Sequence, residues 1–295
     1  MDTVPYLFCN SVAGTFAKIE NISKKLKSTE TSSFSTWTAA CLNHSKNRST
    51  FNLTIGFYEG EWYYILLILV DDCYVKSVDF AYLKQVNQKY LRINRVQFGC
   101  SRSHLIFSPH HTDCQEIEEI INYIFPFVNL ATLELEDQVI EETDLSVLLS
   151  YFRNASFNKI NALVYRQSYG DFLKLHLRSE CLKEVFIIRN RWSEIQKDLQ
   201  EFVLTKPFKN VDCGSCKIMF DMSFLEQIFD LNPSEKEVSL RFKTSFSFSR
   251  LKDFKKELQV TSGDRKIEWK RKDGVLISIM NNVCSLRILL EKNSN

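Results

Sequence analysis

With 295 residues, 44% of them hydrophobic and 25% charged, the chain has an ordinary globular make-up and length for one or two cores. Its 8 Gly and 5 Pro exclude long flexible linkers, and a net charge of +2 with scattered Lys and Arg excludes the concentrated basic face of a nucleic-acid binder. Nine cysteines without a paired framework point to a reducing compartment, and the longest apolar run, Trp62 to Val70, is too short for a membrane span.

MDTVPYLFCN carries no secretory pattern, so a cytoplasmic or nuclear location is expected, without export and without a membrane partner. Residues 1–50 open with Phe8, Val12 and Phe16 at helical spacing, pass through the polar SKKLKSTETSS, and regain helical spacing at Phe34, Trp37 and Cys41. This predicts a small helical cap. Residues 51–70 alternate around Glu59-Gly60 and predict a β-hairpin. Weaker strand signals follow at Val75-Val78-Phe80 and Ile93-Val96-Phe98. Cys100, His104, His110, His111 and Cys114 then crowd one stretch, but their spacing fits no zinc site. They read as a loop ahead of the helix CQEIEEIINYIF, capped by Thr112 or Asp113.

From about residue 128 a short apolar segment recurs with the spacing Φ-x-x-Φ-x-Φ. It reads Leu130-Leu133-Leu135, Ile160-Leu163-Tyr165, Leu182-Val185-Ile187 and Phe208-Val211-Cys213, with a partial copy at Glu235-Val238-Leu240. The starts lie 30, 22, 26 and 27 residues apart, close to the period of leucine-rich repeats. Alternate residues of such strands point into a shared core. The stretches between have helical periodicity, as in Leu145, Leu148, Leu149 and Phe152, in Ile195, Leu199, Phe202 and Val203, and in Phe224, Leu225, Ile228 and Phe229. Asn190 and Cys216 fall eight positions after Leu182 and Phe208, where leucine-rich repeats place a turn-satisfying Asn or Cys. The expected fold is α/β: an irregular leucine-rich-repeat-like strand–helix arc over 51–295, with flanking hairpins. A plain α/β sheet would show the same alternation.

The chain closes with KIEWK-RKDG-VLISIM, a second hairpin turning at Asp273-Gly274 within about 260–291, with Ile267, Trp269, Ile277 and Ile279 on one face. CSLRILLE adds a last strand. Lys266, Lys270 and Lys272 in the basic run read as its solvated side. Cys213 and Cys216 form a C-x-x-C pair, but no second ligand pair accompanies it, and packing in the repeat accounts for both. Phosphate loops and nucleophile motifs are missing from the sequence, so neither an enzyme nor a cofactor is expected.

The opening MDTVPYLFCNSV, with the apolar helix behind it and Trp37 some thirty residues on, resembles a diverged F-box. Joined to degenerate leucine-rich-like repeats, the GFYEGEWYY hairpin and the KYLRI segment, it resembles the nematode families of F-box and F-box-associated proteins. The resemblance implies a substrate receptor of a cullin-type ubiquitin ligase, whose N-terminus holds a Skp1-like adaptor and whose remainder captures an unknown protein target. It puts Val4, Pro5, Phe8, Val12 and Trp37 on or beneath the adaptor-binding surface. The Lys-, Ser- and Thr-rich stretch before Trp37 departs from an F-box's aliphatic content. That departure leaves open a free-standing interaction or scaffold protein whose F-box function is lost.

If the strands form an arc, the residues between their core positions face its open side. Val164, Arg166, Glu184, Phe186, Ile188, Asp212 and Arg241 are then the candidate target-binding residues, with Val164, Phe186 and Ile188 as apolar anchors inside a charged rim.

Overall fold

The computed structural model describes residue 12 and residues 35–70, 73–99, 107–136, 141–189, 192–233, 237–282 and 285–292. The fold is mixed α/β, in two compact units, Met1–Ala131 and Thr132–Asn295. The sequence reading drew its one boundary at residue 50.

In the first unit, helix α1 (Ser35–Asn47) leads into strand β1 (Ser49–Tyr58), which turns into β2 (Glu61–Val70). The two turn residues, Glu59 and Gly60, have φ of +53° and +88°. Positive φ at both positions is the backbone of a two-residue hairpin loop whose twist matches its strands. β3 (Cys73–Val78) pairs antiparallel with β2 and is followed by the short helix α2 (Phe80–Gln85). β4 (Leu91–Phe98) pairs parallel with β1. β5 (His110–Thr112) adds to the turn end of β2 and feeds α3 (Cys114–Ile124). Asp113 caps α3 by accepting the Glu116 N–H at 2.8 Å. Ile117, Ile120, Ile121 and Ile124 form its buried stripe.

β1 is buried on both faces, with Phe51, Leu53 and Ile55 on one and Asn52 and Thr54 on the other. The buried polar groups are matched across the parallel register. Thr54 Oγ1 reaches Gln97 Oε1 at 3.5 Å, and Asn94 Nδ2 donates to Asn52 Oδ1 at 3.4 Å. Gly56 sits opposite Tyr63, whose ring fills the space of a side chain there. The Tyr63 hydroxyl donates to the Gly99 carbonyl at 3.2 Å.

The second unit alternates strand and helix. Its elements are β6 (Val128–Leu135, within which the boundary falls), α4 (Glu142–Tyr151), β7 (Ser156–Ala162), α5 (Gln167–His176), β8 (Glu184–Ile187), α6 (Gln196–Thr205), β9 (Asn210–Asp212), the two-residue β10 (Met219–Phe220), α7 (Met222–Phe229) and β11 (Glu237–Thr244). β12 (Gln259–Ser262), β13 (Lys266–Lys270), β14 (Val275–Asn282) and β15 (Ser285–Lys292) complete it. The strand order is β6, β7, β8, β9, β11, β15, β14, β13, β12. The pairs β7–β8, β8–β9 and β9–β11 are parallel, as helical crossovers require, and β11 onward is antiparallel. The last strand therefore lies between β11 and β14 rather than at an edge.

One row of side chains crosses this sheet without interruption: Ile160, Val185, Val211, Leu240, Ile288, Ile279 and Ile267, each fully buried. Their helices supply the facing layer at i, i+3, i+4 spacing, through Leu145, Leu148 and Leu149, through Tyr169, Phe172 and Leu173, and through Phe224, Leu225, Ile228 and Phe229. At about 25 cal/mol per Å² of apolar surface removed from water, this contact between strands and helices is the main stabilising term of the unit. Trp269 seals its far end. The indole meets Phe229 edge-on at 5.3 Å and donates to the Phe254 carbonyl at 2.9 Å.

The register corrects one repeat. Ile160 pairs with Val185 and Ala162 with Ile187. The second repeat therefore reads Phe157-Ile160-Ala162, all buried, in place of Ile160-Leu163-Tyr165. The Leu163 N–H bonds to the Leu135 carbonyl at 2.9 Å, which sets Ala162 beside Leu135 and Ile160 beside Leu133. The aligned core positions 133, 160, 185, 211 and 240 are 27, 25, 26 and 29 residues apart, more even than the sequence spacing suggests.

Candidate interaction face

Residues alternating with the buried row point to the other side of the second unit's sheet. There Lys159, Asn161, Glu184, Phe186, Asn210, Asp212, Ser239 and Arg241 are all half-buried, and Arg287 is exposed. The register places them in two lines across the strands. Phe186 adjoins Asn161 on one side and Asp212 on the other, Asp212 adjoins Arg241, and Arg241 faces Arg287. Glu184 adjoins Lys159 and Asn210, and Asn210 adjoins Ser239.

Four predicted target-binding residues thus come together: Glu184, Phe186, Asp212 and Arg241. Lys159 carries its ammonium 4.5 Å from the Phe186 ring centroid, a cation–π contact that leaves the ring in place on a polar surface. Glu184 lies 3.8 Å from Lys159 and 3.7 Å from Lys209. Arg241 stretches over Gly214, donating through Nε to Ser285 Oγ at 3.0 Å and lying 3.5 Å from Asp212. Ile188, 43% exposed, stands just past β8, where its carbonyl accepts the Trp192 indole N–H at 3.1 Å.

Two predicted residues belong elsewhere. Val164 is buried, because the corrected register ends β7 at Ala162 and turns the chain inward; Asn161, bonded to Glu134 at 3.0 Å, takes its place beside Phe186. Arg166 precedes α5 and pairs with Glu142 at 3.0 Å. Burial pushes the Glu142 carboxyl up, but the Ser168 N–H and Arg166 together bring it below its usual value. Beside them, burial and a hydrogen bond to Glu194 raise the Tyr165 hydroxyl to about 12, so it remains a donor.

Of the predicted adaptor-binding residues, Val12 is half-buried with helical backbone, Trp37 is half-buried in α1, and Val4, Pro5 and Phe8 lie outside the described residues. Asn190 also lies outside them. Cys216 does complete a turn, its thiol donating to the Cys213 carbonyl at 2.8 Å. The hydrogen bond with Cys216, followed by burial, pushes the Cys213 thiol up, which keeps it neutral. His111 pairs with Glu61 at 3.0 Å and His110 stacks on Tyr64. Among the described residues no group of three His, Cys, Asp or Glu side chains is placed to hold a metal, and no helix is long and apolar enough to cross a membrane.

Sequence reasoning missed Lys159, Asn161 and Arg287. The first two sat beside a repeat read three residues late. Arg287 was visible as the one basic residue of CSLRILLE, but its neighbours depend on β15 inserting next to β11. No family model, no curated protein and no solved structure matches the chain.

Proposed function

We propose that this chain is a protein-interaction module that grips a protein target on the half-exposed strand face around Phe186. The single observation supporting this is the arrangement of an aromatic anchor among fixed charges. Phe186 stands half-buried beside Asn161 and Asp212, two residues from Glu184 on the same strand, with the Lys159 ammonium 4.5 Å from its ring centroid. Aromatic anchors with a charged rim carry most of the energy in protein interfaces. A photo-crosslinking residue at position 186 should capture the target, whereas the same residue at the exposed Val147 on α4 should not. Capture from position 147 alone would contradict the reading.

On the resemblance carried by the opening residues, the module's other partner is a Skp1-like adaptor, which would make the chain a substrate receptor of a cullin-type ubiquitin ligase. Val4, Pro5, Phe8, Val12 and Trp37 are the residues assigned to it. A pull-down with purified adaptor, comparing wild type with a Pro5→Ala/Phe8→Ala variant, tests this part separately. Retention by wild type and loss in the variant support it. A folded wild type that retains no adaptor leaves a free-standing interaction protein.

A further inference from the structure

Arg241 on β11 and Arg287 on β15 occupy directly opposed positions in an antiparallel pair. Side chains at such positions project to the same face within about 5 Å of one another at Cβ, and like charges there repel. The pair is spread rather than neutralised. Arg241 leans to Ser285, donating through Nε at 3.0 Å, and Arg287 leans the opposite way to Ser239, donating through Nε at 3.3 Å. Each serine belongs to the other arginine's strand, so the two hydrogen bonds hold the guanidinium groups apart along the sheet. Among the described residues Arg241 has an acid beside it, Asp212, at 3.5 Å, and Arg287 has none within ion-pair distance. The nearby Glu184 is already engaged by two lysines. Arg287 is therefore an exposed cation next to an arginine that the surrounding structure fixes in position.

We propose that Arg241 and Arg287 form a clamp for an oxyanion, supplied by an acidic or phosphorylated side chain of a peptide segment lying along the strand face. This rests on the reading of that face as target-binding, and names the chemistry of what it takes. Guanidinium groups suit this task because their planar N–H forks match carboxylate and phosphate oxygens two at a time. An anion between the two would also remove the repulsion that the serines only reduce. Phe186, separated from Arg241 by the single strand β9, would lie under an apolar residue of the same segment.

The test is fluorescence polarisation with labelled extended Gly/Ser peptides that share one Leu and differ at a single site: phosphoserine, glutamate or glutamine. Wild type should bind the charged peptides about tenfold or more tightly than the glutamine peptide, with affinity falling as salt is raised. A phosphoserine preference identifies phosphate as the natural anion, and equal binding of glutamate identifies carboxylate. Arg287→Gln should lose that advantage, Arg287→Lys should retain part of it, and Lys272→Gln, away from the pair, should retain all of it. Melting temperatures unchanged from wild type show that each variant is folded. Equal affinity for charged and neutral peptides, no binding of any peptide, or an Arg287→Gln variant that binds as wild type does, overturns the clamp. Equal binding that Phe186→Ala abolishes overturns the clamp alone, and leaves the strand face as a docking surface.

Discussion

Gly214 lies beneath Arg241, so close that a β-carbon at position 214 would stand 2.9 Å from the arginine's Cγ and Nε and 3.1 Å from Ser285 Cβ. The turn after β9 thus supplies a floor for a long side chain from β11, and the absence of a side chain at 214 fixes where the guanidinium goes. Gly214→Ala should move Arg241 off Ser285 and Asp212 while costing no more than about 1 kcal/mol of stability, because the displaced side chain is half-exposed and free to swing outward. Denaturant titration beside acidic-peptide binding checks this. A large stability loss with binding intact would show that the glycine serves the backbone instead.

Gly56 meets a harder neighbour. A β-carbon there would stand 2.2 Å from the Tyr63 hydroxyl oxygen, and Tyr63 is fully buried with its hydroxyl committed to Gly99. Gly56→Ala should therefore destabilise by about 2–3 kcal/mol, at the upper end of what overpacking costs. Tyr63→Phe in the same background should recover only part of this, since the ring carbons clash as well. Urea unfolding of the two variants gives both values.

His176 is buried against Phe157 and Phe172, with ring centroids 5.3 and 4.3 Å away. Burial lowers its pKa from 6.5 to about 4, against a hydrogen bond to the Phe152 backbone that acts the other way. The unfolded chain takes up this proton first as pH falls. The contribution is therefore complete above pH 6.5 and is lost as pH drops toward about 4, with a slope of at most about 1.4 kcal/mol per pH unit. Unfolding free energies of wild type and His176→Phe, measured across that window, should diverge with this slope. Parallel curves would rule out His176 as the source.

Ile160 and Leu163 separate the structural register from the one read in the sequence. Ile160 lies in the buried row beside Val185, whereas Leu163 is half-exposed past the end of β7. Ile160→Ala should cost about 2–5 kcal/mol and Leu163→Ala about 1 kcal/mol or less. Thermal unfolding of the two variants decides between the registers, and the reverse order would restore the earlier one.

Much of this architecture was legible because large apolar side chains at fixed spacing leave few options. The stripes on α4, α6 and α7, the turn at Glu59-Gly60 and the shared face of Ile267, Trp269, Ile277 and Ile279 all follow from periodicity and turn chemistry. The second repeat was misread because its third core position is Ala162, too small to register as apolar beside Leu163 and Tyr165. Part of the candidate face was legible for the same reason, since Glu184, Phe186, Asp212 and Arg241 alternate with core residues along their strands. Arg287 was not, because its place depends on a long-range pairing between β11 and β15, which local pattern does not encode.

The central claim is that the Phe186 face, and not the helix-covered side, holds the protein target. The most direct measurement is the affinity of the full chain for its crosslinked partner, once purified, in wild type, Phe186→Ala and Val147→Ala. The expected result is a loss of about tenfold or more for Phe186→Ala with an unchanged unfolding midpoint, and wild-type affinity for Val147→Ala. Undiminished binding by Phe186→Ala, or a loss confined to Val147→Ala, would contradict it.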